Sequence, residues 1–198
     1  MGKIITISRQ FGSGGRTVGK MTAEALGIPC YDSEILARLA ADSGFAPDYI
    51  KEQTEGTQES GLFAALAGRN YFGQSNQDQI WVMQCRLIEE LAAKGDCVIV
   101  GRCADYVLRD RFDLFRVFIY ADDAIRAKRI VEQYGESDVN PQKRLRDKDR
   151  KRKAFYEIYT DQKFGDPVNY DACLNSGTLG IDACVDFITG MYREMINV

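Results

Sequence analysis

Apolar residues along this chain fall into two rhythms. Short unbroken runs come first: Ile4-Ile5-Thr6-Ile7, Ile28-Pro29-Cys30-Tyr31, Cys97-Val98-Ile99-Val100, Leu114 to Tyr120 and Asp171-Ala172-Cys173-Leu174. Each reads as a short strand, and Arg116 is the only charge inside the fourth. Between them apolar residues recur at helical spacing. Val18, Met21 and Ala25 predict a helix beginning near Thr17, and Ile35, Leu36 and Leu39 predict one capped by Asp32-Ser33. Trp81, Cys85, Ile88 and Ala92 predict a helix over 80–94 that Gly95 closes. Ala127, Ile130, Val131 and Tyr134 continue the pattern after Asp122-Asp123, and Ile181, Cys184, Val185, Ile188 and Met195 form the last stripe. Strands apolar on both faces, alternating with helices, mean a parallel sheet covered on both sides. The expected class is α/β: three layers, α/β/α, around a five-stranded parallel sheet.

Two stretches break the alternation. Over 45–79 the signal weakens into a charged segment, a short apolar one and a run rich in Asn, Gln and Gly. This region is expected to be a flap or insert on the acceptor side rather than a separate domain. Near the other end, Asn140-Pro141 has the chemistry of a helix start. Lys143 to Lys153 then carries eight cations against Asp147 and Asp149. Helical spacing puts Arg146, Asp149, Arg150 and Lys153 on one side, and Leu145, Asp149, Arg152 and Tyr156 on an overlapping one. Such a run can be a solvated face, a nucleic-acid stripe or a lid over polyphosphate. A face mixing arginines with an aspartate suits a nucleotide better than a nucleic-acid backbone.

The first strand runs into Phe11-Gly12-Ser13-Gly14-Gly15 and then into a helix. Glycines open backbone angles closed to other residues, and amides at a helix head attract phosphate. Laid on the P-loop pattern, Gln10 replaces the first glycine, Arg16 replaces the lysine, and Thr17 keeps the metal-binding hydroxyl. An ordinary glycine turn would share that spacing, so the rest of the chain decides. In open parallel sheets ligands sit beyond the carboxyl ends of the strands. Gly12–Thr17, Asp32-Ser33, Gly101-Arg102 and the segment after Tyr120 would all gather there.

Composition narrows the chemistry. At 198 residues one domain is expected, burying roughly 70% of the unfolded chain's surface. The chain has no histidine, which removes Ser-His-Asp triads, histidine zinc sites and histidine acid–base chemistry. Phosphoryl transfer suits the remaining Arg, Lys, Asp and Glu, because it needs positioning and charge more than covalent chemistry. Six cysteines without a C-x-x-C pair fit a reducing compartment. The net charge of −3 argues against a nucleic-acid or membrane partner. No apolar run approaches a membrane span, and a cytoplasmic protein is expected.

These residues together resemble the cytidylate kinase-like branch of the nucleoside monophosphate kinases over nearly the whole chain. Ile7-Ser8-Arg9-Gln10-Phe11-Gly12-Ser13-Gly14-Gly15-Arg16 is similar to that branch's variant P-loop. Tyr31-Asp32-Ser33 with Arg38 resembles the acceptor-holding stretch, and Gly101-Arg102 resembles a Gly-Arg-Asp motif in which Cys103 here replaces the Asp. Arg126 and Arg129 lie where an arginine-bearing helix precedes the lid, and Asp147 to Arg152 resembles the lid motif.

The resemblance implies a P-loop NTPase fold with a helical lid over 136–162, ATP and Mg²⁺ as cofactors, and transfer to CMP or dCMP. Gly12, Ser13, Gly14, Gly15, Arg16, Thr17 and Arg126 would hold the donor, with Thr17 on the metal and Arg16 in the lysine's role. Arg146 and Arg150 would act with Arg16 on the transferring group. Asp32, Ser33, Arg38, Arg102, Asp149 and Arg152 would hold the acceptor. A P-loop kinase of another small acceptor, and a non-catalytic nucleotide- or nucleic-acid-binding module, remain open alternatives. Oligomeric state is not legible.

Overall fold

β1 (Lys3–Arg9) takes the middle of the sheet because its residues are apolar toward both faces. In this computed structural model, which describes residues 2–44, 46, 50, 76–133 and 140–196, five strands pair in parallel. Their order is β2 (Cys30–Tyr31), β3 (Cys97–Val100), β1, β4 (Asp113–Tyr120) and β5 (Ala172–Asn175). Ile4 faces Cys97 in one neighbour and Leu114 in the other, and Ile7 faces Val100 and Val117. The expected class and strand number are met.

Alternation along the strands splits the apolar side chains into two cores. Ile5, Ile7, Val98, Val100 and Ile119 pack under α1 (Gly15–Leu26) and α7 (Ile181–Ile196), through Val18, Ala23, Cys184, Val185 and Ile188. Ile4, Cys97 and Ile99 face α2 (Ser33–Ser43) and α3 (Asn76–Ala92), through Ile35, Leu39, Ile80, Leu87 and Ile88. Burying one such side chain fully contributes about 1.5–3 kcal/mol, so the two layers clamp β1 from both sides.

Three further helices close the carboxyl end: α4 (Ala104–Val107), α5 (Asp123–Glu132) and α6 (Pro141–Thr160). Asn140 caps α6 as expected, its Oδ1 accepting from the Lys143 amide at 2.9 Å with Pro141 in the first turn. Leu145 packs on Phe11, Ala127 and Ile130, while Phe155 and Tyr156 join Cys103, Trp81 and Phe164.

Some boundaries differ from expectation. α1 starts at Gly15, two residues early, because Gly14 already closes the turn with a left-handed φ of 81°. α3 starts at Asn76, four residues before the expected Ile80, and so takes in 76–79 of the expected flap or insert. The remainder of the expected flap (45, 47–49 and 51–75) and the start of the expected lid span (136–139) lie outside the described residues. Among the described residues no helix is long and apolar enough to cross a membrane.

Candidate active site

The turn after β1 is built on backbone. Gly12 and Gly14 adopt φ of 76° and 81°, and a Cβ on Gly14 would stand 2.5 Å from Ile181 Cδ1. Three successive carbonyls are engaged from outside. Arg126 Nη1 donates to the Phe11 carbonyl at 3.0 Å, Arg129 Nη1 to that of Gly12 at 3.1 Å, and Ser176 Oγ to that of Ser13. Ser13 is buried, and its hydroxyl donates to the Gln10 carbonyl at 2.9 Å. With the carbonyls held outward, the amides at the head of α1 have no intrahelical acceptor, a nest-like arrangement of donors. Arg126 therefore reaches the loop from behind, through a carbonyl.

Arg16 and Asp32 are paired with each other. Arg16 lies in the first turn of α1, more than half exposed, and its Nε pairs with Asp32 Oδ2. Asp32 is buried at the N-cap of α2 but its side chain makes no capping bond. The ion pair has claimed the carboxylate. Asp32 Oδ1 has no hydrogen-bond partner, and Thr17 stands exposed beside Arg16. Ser33 is the first residue of α2. Arg38 is not brought to the others: its guanidinium faces Glu90 at 3.4 Å and Asp42 at 3.8 Å on the surface.

The turn after β3 is built on side chains. Gly101, Arg102 and Cys103 all have positive φ (75°, 60° and 55°), the last two without being glycine. A β-carbon in the left-handed region costs roughly 1–2 kcal/mol. Buried Arg102 accepts at its carbonyl from Gln84 Nε2 at 3.2 Å. A cavity opens here between Ser8, Arg9, Gly101, Arg102, Cys103 and Arg152, with Phe155, Tyr156 and Phe164 as its apolar wall. Three of those residues are arginines.

α6 presents the overlapping face named above to both turns. Asp149 Oδ1 accepts from the Phe11 amide at 2.7 Å, and its Oδ2 pairs with Arg126, which is itself buried and also paired with Asp123. Arg152 Nη1 donates to the Arg9 carbonyl at 3.3 Å. Tyr156 donates to Asp105 Oδ2 at 2.7 Å, and Ser8 donates to Asp105 Oδ1 at 3.3 Å. Arg146 and Arg150 point away from these contacts and are exposed, Arg150 pairing with Asp147 at 2.9 Å.

Asp105, bonded to Ser8 and Tyr156 of the cavity lining, is a buried carboxyl that the spacing did not reveal. Burial drives its carboxyl above the ordinary range, against the pull of the Tyr156 and Ser8 hydroxyls. The neighbouring Cys103 thiol is also raised, first by burial and then by the Asp105 charge, which leaves it inert. Asp105 falls two residues after Cys103, so a carboxylate is present near the place where the resemblance expects one, displaced into α4.

A family model described as the cytidylate kinase-like family matches residues 4–178. The chain belongs to that family. A cytidylate kinase of Archaeoglobus fulgidus is 30% identical over 190 residues, covering 93% of this chain and 91% of that protein. One of Natronomonas pharaonis is 26% identical over 194 residues, covering 96% of this chain and 90% of that one. Among solved structures, an uncharacterized protein from Eubacterium ventriosum superposes with a TM-score of 0.70 at 28% identity, covering 95% of this chain and 96% of that one. A gluconokinase from Sinorhizobium meliloti (TM-score 0.55, 18% identity, 98% and 95% covered) and a shikimate kinase from Acinetobacter baumannii (0.52, 17%, 100% and 94%) share the fold. The expected P-loop kinase fold and cytidylate kinase-like membership are both met.

Proposed function

We propose that the protein transfers the γ-phosphoryl group of ATP to a nucleoside monophosphate, CMP or dCMP. The observation that carries this is adjacency within a chain of this family. The glycine nest and the arginine-lined cavity meet at Ser8 and Arg9, at the end of the central strand. Donor phosphates fit the amides of Gly12 to Thr17, and an acceptor phosphate fits Arg102 and Arg152. Asp149, held between the Phe11 amide and Arg126, stands where it can accept from an acceptor sugar or base. Arg146 and Arg150 reach the transferring group only if α6 moves.

The side chains present fit a hydrated Mg²⁺. Among the described residues no cluster of His, Cys, Asp and Glu could cage a metal alone. Thr17 and the Asp32 oxygen without a partner suit an ion held mostly by phosphates and water. When bound, that ion neutralises developing charge on the phosphates. An acceptor phosphate arrives ionised and needs no general base, in keeping with the absence of histidine.

The test is ADP release at saturating MgATP across the common nucleoside monophosphates. CMP or dCMP is expected to give the highest kcat/KM. Turnover of none of them discards the reading. ATP consumption with a different small acceptor instead transfers it to another P-loop kinase activity.

A further inference from the structure

Position 15, the first residue of α1, is a glycine with no side chain to offer a phosphate. The next cation, Arg16, is already paired with Asp32. Something else occupies that space. A Cβ on Gly15 would lie 2.6 Å from Arg9 Cβ and 3.0 Å from Arg9 Cγ. A Cβ on Gly101 would lie 1.8 Å from Arg9 Nη1 and 2.8 Å from Arg9 Cζ. The Arg9 side chain thus begins against the head of α1 and ends against the turn after β3, in a channel that only two glycines leave open.

From this geometry we infer that Arg9 is the catalytic cation between donor and acceptor, doing the work usually given to a P-loop lysine. The assignment rests on the phosphoryl-transfer reading above. Arg9 is the last residue of β1, its backbone is fixed by pairing with β4 and by Arg152 on its carbonyl, it lines the cavity with Arg102, and its guanidinium lies against Gly101 of the same lining. In the reaction an acceptor phosphate oxygen forms a bond to the γ-phosphorus while the bond to the β,γ-bridging oxygen breaks. ADP leaves with that electron pair. Negative charge then spreads over oxygens between nest and cavity, and a planar five-donor fork spans two of them where a lysine would meet one.

The experiment compares Arg9→Gln, Arg9→Lys and Arg16→Gln with the wild-type chain by steady-state turnover and by calorimetric titration with inorganic tripolyphosphate. Melting curves check that each variant folds. Removing one preorganised donor of this kind costs on the order of a hundredfold or more in kcat. Arg9→Gln is expected to lose that much with less than a tenfold change in KM for ATP. Arg9→Lys should recover part of the loss, and Arg16→Gln should cost at least tenfold less than Arg9→Gln. Turnover of Arg9→Gln near wild type, or a larger loss in Arg16→Gln, overturns the assignment. If the wild-type chain turns over no nucleotide, the proposed function fails by itself and the titration decides about Arg9. Tripolyphosphate binding in Arg9→Gln weakened by threefold or more supports it as the phosphate cation, and binding within threefold of the wild type overturns it.

Discussion

The turns after β1 and β3 leave the sheet side by side and solve opposite problems. The first, Phe11 to Gly15, puts glycine at its left-handed positions Gly12 and Gly14 and so presents bare amides. The second puts only Gly101 there and forces Arg102 and Cys103 into the same backbone region, so it presents side chains. One turn offers backbone, which lets a ligand approach the chain closely. The other gives up roughly 1–2 kcal/mol per residue in backbone strain to aim a buried arginine. α6 fastens to both: Asp149 on the Phe11 amide, Tyr156 on Asp105 just past the second turn.

The sharpest break of this comparison is Gly14→Ala. The new methyl meets Ile181 Cδ1 at 2.5 Å on a backbone with φ of 81°. Left-handed strain applies in full and the tip of the Ile181 side chain must swing aside, so about 2–3 kcal/mol of stability should be lost, read as a lowered urea midpoint at unchanged m-value. Gly27→Ala is the control: it has φ of 66° with nothing within 4 Å, so only the strain of about 1 kcal/mol applies. Equal losses at both positions would mean that Ile181 does not buttress the nest.

Next in size is the link from α6 to the first turn. Asp149→Asn leaves an acceptor for the Phe11 amide but removes the charge opposite buried Arg126, at a cost of about 2 kcal/mol. Asp149→Ala should cost more and also expose the Phe11 amide to hydrogen exchange, which the Asn variant should still protect. If exchange at Phe11 were the same in both variants, the carboxylate would not be what holds that amide.

The link to the second turn is read through pH. Asp105 has its folded pKa raised, chiefly by burial, above the ordinary Asp value near 4. Between those two values the folded state binds more protons than the unfolded one. The stability contribution is therefore complete below the ordinary value and is lost as pH rises through the raised one. Asp105→Asn lacks that titration. The urea-midpoint difference between wild type and variant should move in the variant's favour as pH rises above about 4, while other groups cancel. A pH-independent difference would show that Asp105 keeps an ordinary pKa.

How far each region was legible follows from the same contrast. Glycine spacing after an apolar strand announces a nest, so Gly12 to Gly15 stood out in the sequence, as did the sheet and the docked face Leu145, Asp149, Arg152 and Tyr156. Nothing in the letters Arg102-Cys103 announces left-handed backbone, because side chains pay that strain only where tertiary packing imposes it. Asp105 carried no signal of its own in the sequence, since burial is a property of what folds over it. Arg16 fitted a linear motif, but the motif does not say which way a helix turns its second residue. Arg38 was close along the chain to Asp32-Ser33, yet it pairs with Glu90 and Asp42 on the surface for the same reason.

Cys103→Gly is the smallest and most discriminating change in the second turn. Glycine removes the left-handed strain at φ of 55°, a gain of roughly 1 kcal/mol. Against that stand the extra freedom of the unfolded chain and the loss of a thiol buried against Phe155 and Tyr156, each roughly 1 kcal/mol. The net should be a destabilisation of about 1 kcal/mol or less, smaller than the Gly14→Ala effect and reached from the opposite direction. A loss of 2 kcal/mol or more in the urea midpoint would mean that the thiol's contacts with the aromatic wall, rather than the backbone twist, hold this turn in shape. The asymmetry between a turn made of amides and a turn made of side chains would then extend to what stabilises each of them.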